Sequence, residues 1–122
     1  MASSPLADRH CVVCKPGTPT LRQSEIDRFL QELPGWTVVQ ADGHLQLTRT
    51  YKFKGFLPGA DMVKEIAKIA EAEGHHPDLH LSYGSLKADL WTHAAGGLTE
   101  NDFILAAKMD RIQAPEDRFT AS

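Results

Sequence analysis

Four of the chain's six histidines, His75, His76, His80 and His93, fall within nineteen positions. Imidazole ordinarily titrates close to neutral pH, so such a cluster suits proton transfer or metal binding. Placement narrows the set to His75, His76 and His93. His75 and His76 stand just past a predicted helix end, where the macrodipole favours an imidazolium. Pro77 follows and biases His76 towards extended backbone. His93 closes a predicted strand, ahead of Gly96-Gly97. Three imidazoles on loops at the ends of elements can converge on one pocket. Zinc is the rival reading, since it takes three imidazoles and keeps a water. Neighbouring histidines on an extended stretch point to opposite sides, which makes one shared ion awkward. The plain alternative is a set of exposed side chains.

Two acids accompany the histidines. Glu71 sits near a helix C-terminus, where a carboxylate is mildly unfavourable. Asp102 stands three residues after Thr99, the spacing of a capping box, so an N-terminal cap accounts for it without any further role.

The elements that must position these groups follow from patterning. Residues 1–23 are rich in Ser, Pro, Thr and Gly, have no apolar period, and read as an arm. Ser24-Glu25-Ile26-Asp27 resembles a capping box. Ile26, Phe29, Leu30 and Leu33 then fall at helical spacing, and Pro34-Gly35 stops the helix. Trp36–Gln40 and Leu45–Phe53 read as strands around Asp42-Gly43, a type I′ hairpin signal. In the second strand Leu45, Leu47, Tyr51 and Phe53 share a face, with Arg49 the odd member. A second helix starts at Leu57-Pro58, buries Met62, Val63, Ile66, Ala67, Ile69 and Ala70, and ends at Gly74. Strands over 78–83 and 85–92 turn at Gly84. Thr99 opens a last helix that fades near Ile112, with Leu98 and Phe103 placed as a hydrophobic staple. The expected fold is α+β in the order α-β-β-α-β-β-α, a four-stranded antiparallel sheet with three helices on one face. The division is a 1–23 arm, a single domain over 24–113 and a 114–122 tail. Trp36, Trp91 and Tyr83 read as packing residues.

The chain has 122 residues and a net charge of -3, with 42% hydrophobic and 24% charged residues. A basic stripe is missing, which disfavours nucleic acid. No apolar run is long enough for a membrane span, and residues 1–10 lack the order of a secretory signal, so the cytosol is the expected location. A domain of this size often assembles with copies of itself. Cys11 and Cys14 form a CxxC in a Pro/Gly-rich leader, without the second pair of a zinc site or the strand-to-helix setting of a redox motif.

Beyond these readings, Glu71-Ala72-Glu73-Gly74-His75-His76-Pro77, Tyr83, Thr92-His93 and Gly97-Leu98-Thr99-Glu100-Asn101-Asp102 stand in an order and spacing that resemble the pterin-4a-carbinolamine dehydratases. The resemblance runs from His10 to Gln113 and includes the bacterial-style HCxxC leader. It implies dehydration of a 4a-hydroxytetrahydrobiopterin to the quinonoid dihydropterin, with no metal and no organic cofactor. It implies a link to an aromatic amino-acid hydroxylase and a homodimer or homotetramer. It also implies that His75 and His93 are the acid-base groups at the reacting hydroxyl. His76 would orient the ring and share in proton transfer, and Glu71 and Asp102 would orient or charge-balance imidazoles. The division of roles among the histidines stays open. One departure is Gly74, where some members carry an acid. A non-catalytic assembly module on the same fold is the other reading.

Overall fold

The computed structural model describes residues 5–12 and 15–113. The 114–122 tail, Cys14 and the first four residues of the arm lie outside the described residues. Helix α1 covers Gln23–Leu30, strand β1 Thr37–Ala41, β2 His44–Lys52, helix α2 Leu57–Glu73, β3 Asp78–Ser82, β4 Ser85–Leu90 and α3 Glu100–Gln113. The α-β-β-α-β-β-α order and the antiparallel four-stranded sheet are as expected from the sequence. Spatially the strands run β1-β2-β4-β3, so β2 and β4 are central. No helix among the described residues is long and apolar enough to cross a membrane.

The β1–β2 hairpin turns on Asp42 and Gly43, both at positive φ (52° and 84°), as a type I′ turn demands. Leu47 and Tyr51 of β2, Phe53 just past its end, and Leu86, Ala88 and Leu90 of β4 join one buried cluster with Ile26, Phe29, Met62, Ile66 and Phe103 from the helices. Arg49 stays on that face because its Nη1 donates to Asp110 Oδ1 at 2.9 Å and its guanidinium lies 4.4 Å from the centre of the Tyr51 ring. The Tyr51 hydroxyl also donates to Asp110 Oδ1 (2.7 Å), and Trp36 Nε1 donates to both oxygens. Burial pushes the Asp110 carboxyl above its usual range, against the lowering by these donors. Trp36 is a packing residue, as read.

Several local expectations are corrected. The first helix begins at Gln23 with Arg22 in the cap position, and Glu25, not Asp27, is the box acid: its carboxylate accepts from Arg22 N–H at 2.9 Å. Pro34-Gly35 does not set its end either. The α-helix stops at Leu30 and continues as turns closed by i→i−3 bonds up to Leu33. In α2, Ala67 is exposed, because the buried stripe runs through Met62, Ile66 and Ala70, and position 67 lies roughly 100° off it. Strand β4 ends at Leu90, with Thr92 held in an isolated bridge to Gly97. Tyr83 is 80% exposed; it occupies the two-residue β3–β4 turn, where its side chain leaves the sheet.

The arm contributes to the core. Leu6, in a short 3-10 turn over Leu6–Asp8, is 0% exposed. Lys108 Nζ donates to Ala7 O at 2.9 Å, Arg9 pairs with Glu100 at 2.5 Å and Cys11 N–H donates to Glu73 Oε1 at 2.8 Å. Asn101 clasps Val12 on both sides of its peptide: Oδ1 accepts from Val12 N–H (3.0 Å) and Nδ2 donates to Val12 O (2.6 Å).

Candidate active site

Helix α2 delivers the histidine pair. Gly74 takes the left-handed conformation (φ 69°) and its N–H bonds Ala70 O at 2.9 Å, closing the helix and turning the chain out into His75-His76-Pro77. Only a residue tolerant of positive φ fits there, which gives Gly74 a backbone reason at the position where an acid stands in some family patterns.

The two histidines find different carboxylates. His75 Nε2 meets Asp102 Oδ1 at 2.6 Å, and its side chain is mostly buried. His76 Nε2 meets Glu71 Oε2 at 2.7 Å in an exposed pair. A carboxylate can only accept, so in each ring Nε2–H donates and Nδ1 is the nitrogen left for exchange.

Asp102 is 0% exposed and has two duties. Its Oδ2 accepts from Thr99 N–H (2.9 Å), the capping function anticipated from spacing, and from Thr92 Oγ1 (2.8 Å); Thr92 and Thr99 hydroxyls share a further 2.8 Å bond. The same carboxylate that caps α3 therefore holds His75. Every buried side-chain polar atom among the described residues has a partner.

His93 reaches the site differently. It is exposed and follows Thr92 out of the sheet. Its ring packs on Trp91, with centroids 3.8 Å apart, and the other side of Trp91 stacks on His44 at 3.5 Å. Trp91, read from sequence as a packing residue, is thus half-buried beside the site.

His75, His76 and His93 line one cleft of about 390 Å³, together with Pro77, Trp91 and Val12. That volume lies in the small-molecule range. Glu71 and Asp102 are not among its lining residues; they stand behind the rings they hold. Among the described residues no group of three His, Cys, Asp or Glu side chains is arranged to hold a metal ion. His80 is not brought to the cleft and stands 3.7 Å from Asp89.

Sequence reasoning missed Val12, Asn101 and His44. Asn101 stood in the Gly97–Asp102 motif and Val12 in the HCxxC leader, but their meeting across 89 positions has no local signal, and His44 has no neighbour in the histidine cluster. Thr92 stood in the Thr92-His93 motif, and that adjacency was the available signal.

Comparison with known proteins gives the class. Residues 19–112 match the family model described as pterin 4 alpha carbinolamine dehydratase. The chain belongs to this family. A mitochondrial protein of Arabidopsis thaliana named pterin-4-alpha-carbinolamine dehydratase 2 is 42% identical over 113 residues, which cover 91% of this chain and 60% of that one. A Rubrobacter xylanophilus protein provisionally named for the same activity is 42% identical over 109 residues, covering 89% of this chain and 99% of its own. Among solved structures, a Brucella melitensis protein titled transcriptional coactivator/pterin dehydratase superposes with a TM-score of 0.69 at 35% identity, over 76% of this chain and 97% of that one. A pterin dehydratase-like protein described as a RuBisCO assembly factor of the alpha-carboxysome shares the fold alone, with a TM-score of 0.56 at 18% identity, over 67% of this chain and 93% of that one.

Proposed function

We propose that this protein dehydrates a 4a-hydroxytetrahydropterin by general acid-base catalysis from His75, His76 and His93. The observation that carries the reading is the convergence of those three rings on one cleft of small-molecule size, two of them with Nε2 committed to a carboxylate. Hydroxide is a poor leaving group. An imidazolium that gives its proton to the oxygen as the C4a–O bond breaks lets water depart. A neutral imidazole takes the proton from a ring N–H, and the electron pair left behind forms the new double bond of the quinonoid dihydropterin. The two transfers balance, and the histidines return to their starting states by exchanging one proton between them or with solvent. Help of this type is worth about 10²- to 10⁴-fold.

His75 and His93 are assigned to the acid-base exchange at the hydroxyl, and His76 to orienting the ring and sharing in transfer. Asp102 orients His75 from behind, and Glu71 does the same for His76. The reaction belongs in the recycling of the pterin cofactor of an aromatic amino-acid hydroxylase, in the cytosol, by a homodimer or homotetramer. The family membership and the names of the relatives support the substrate class.

The test is stopped-flow absorbance of 4a-hydroxytetrahydropterin decay, with and without purified protein, after treatment with a chelator. Acceleration that survives the chelator is expected. A folded sample that leaves the spontaneous rate unchanged removes the dehydratase reading and favours a non-catalytic assembly role on the same fold.

A further inference from the structure

Two of the three cleft histidines are aimed by carboxylates. The third is not: among the described residues the His93 ring makes no hydrogen bond, and what it touches is Trp91. The indole is itself fixed from its other side. His44, the first residue of β2, stacks on it at 3.5 Å between centroids and 17° between planes, while His93 packs at 3.8 Å and 31°. His44 Nδ1 lies 3.3 Å from Leu45 O, which orients the outer ring in turn. The column is built on the sheet. Even-numbered residues of β2 and odd-numbered residues of β4 share the face opposite Leu47 and Leu90, and Trp91 directly follows β4 on that face.

We propose that Trp91 is a positioning residue for His93, with His44 completing the stack, so that the third proton-transfer group of the cleft is aimed by an aromatic column. The proposal rests on the dehydratase reading for its catalytic consequence. An exposed histidine on a turn otherwise samples several rotamers. A stacked contact of this kind favours one of them by about tenfold. Both broad faces of the indole are occupied by imidazoles, so a flat pterin ring has no face of Trp91 to lie on while the column is intact. Trp91 thus acts through His93.

The experiment compares wild type with Trp91→Leu, Trp91→Phe and His44→Ala, using steady-state dehydration kinetics and the ring-proton resonances of the histidines. In the wild type the indole current should carry the His93 ring protons upfield. Trp91→Leu should return them downfield and lower kcat by about tenfold, with KM held within about twofold. Trp91→Phe should restore much of both signals, and His44→Ala should move both in the same direction by less. A Trp91→Leu enzyme with wild-type kcat overturns the proposal. So does a raised KM at constant kcat, which would make Trp91 a substrate contact. A wild type that does not accelerate dehydration overturns the dehydratase reading instead. The ring resonances then judge the stack by themselves: moved by Trp91→Leu they uphold it, unmoved they overturn it.

Discussion

Asp102 Oδ1 lies 2.6 Å from His75 Nε2 while Oδ2 of the same carboxylate accepts the Thr99 N–H at the start of α3. Helix cap and histidine orienter are one side chain. Replacing it separates the two duties. Asp102→Asn keeps an acceptor for Thr99 and should cost no more than about 1 kcal/mol of stability. It withdraws the negative charge facing His75 and should slow dehydration by about 10²-fold. Asp102→Ala leaves Thr99 N–H and Thr92 Oγ1 short of a buried acceptor and should cost about 1–3 kcal/mol in addition to the lost activity. Urea melts beside kinetics distinguish the two variants; an Asn variant that melts early but turns over normally would contradict this division.

His76 is exposed and its partner Glu71 more so. His76→Ala should therefore leave the melting temperature unchanged and slow dehydration by about 10²- to 10⁴-fold. Glu71→Gln should have a small effect, tenfold at most, because an exposed pair of this kind is worth about 0–1 kcal/mol. Stopped-flow decay of the hydroxypterin reads both.

His75→Ala and His93→Ala are expected to retain partial activity if either ring covers for the other. The double variant should then lose more than the product of the single losses. Multiplicative losses measured by the same assay would mean that the two rings act independently.

Glu73 gives a pH prediction for stability. Burial raises its pKa, but the Cys11 N–H, His10 and Lys108 outweigh that, and the net shift is downward. A depressed folded pKa contributes stability that is present above the unfolded value, about pH 4, and is lost as the pH falls through the folded one. Thermal melts should show an acid limb below about pH 4 that is shallower in Glu73→Gln. An unchanged limb would assign acid unfolding to other carboxylates.

Leu6 tests whether the arm belongs to the fold. The side chain is fully buried within the core cluster, so Leu6→Ala should cost about 2–5 kcal/mol in a urea melt. A cost below about 0.5 kcal/mol would mean that the arm is not held in solution.

What was legible in the sequence was what local chemistry dictates. Asp42-Gly43 names its own turn, Gly74 its own cap, and Thr99 with Asp102 the start of α3. The three histidines stood out because their spacing put them at the ends of elements. What was hidden depends on distant partners. Arg22 caps α1 through its backbone N–H, donated to Glu25, and nothing in an arginine side chain announces that. Leu6 stands as a lone aliphatic residue among Ser and Pro, without a period to mark burial. Arg49 looked out of place until Asp110, 61 positions away, supplied its counter-charge. Trp91 read as packing because stacking on His44 requires knowing that β2 lies beside β4.

The clasp between Val12 and Asn101 also bears on the order of assembly. Val12 lines the histidine cleft, yet its N–H and its carbonyl are each bonded by a residue made 89 positions later. On the ribosome Val12 emerges well before Asn101, so this clasp cannot close until the start of α3 has cleared the exit tunnel. One wall of the cleft must therefore form late, after the hairpins can already have paired. A nascent chain can carry His76 against Glu71 and still lack that wall.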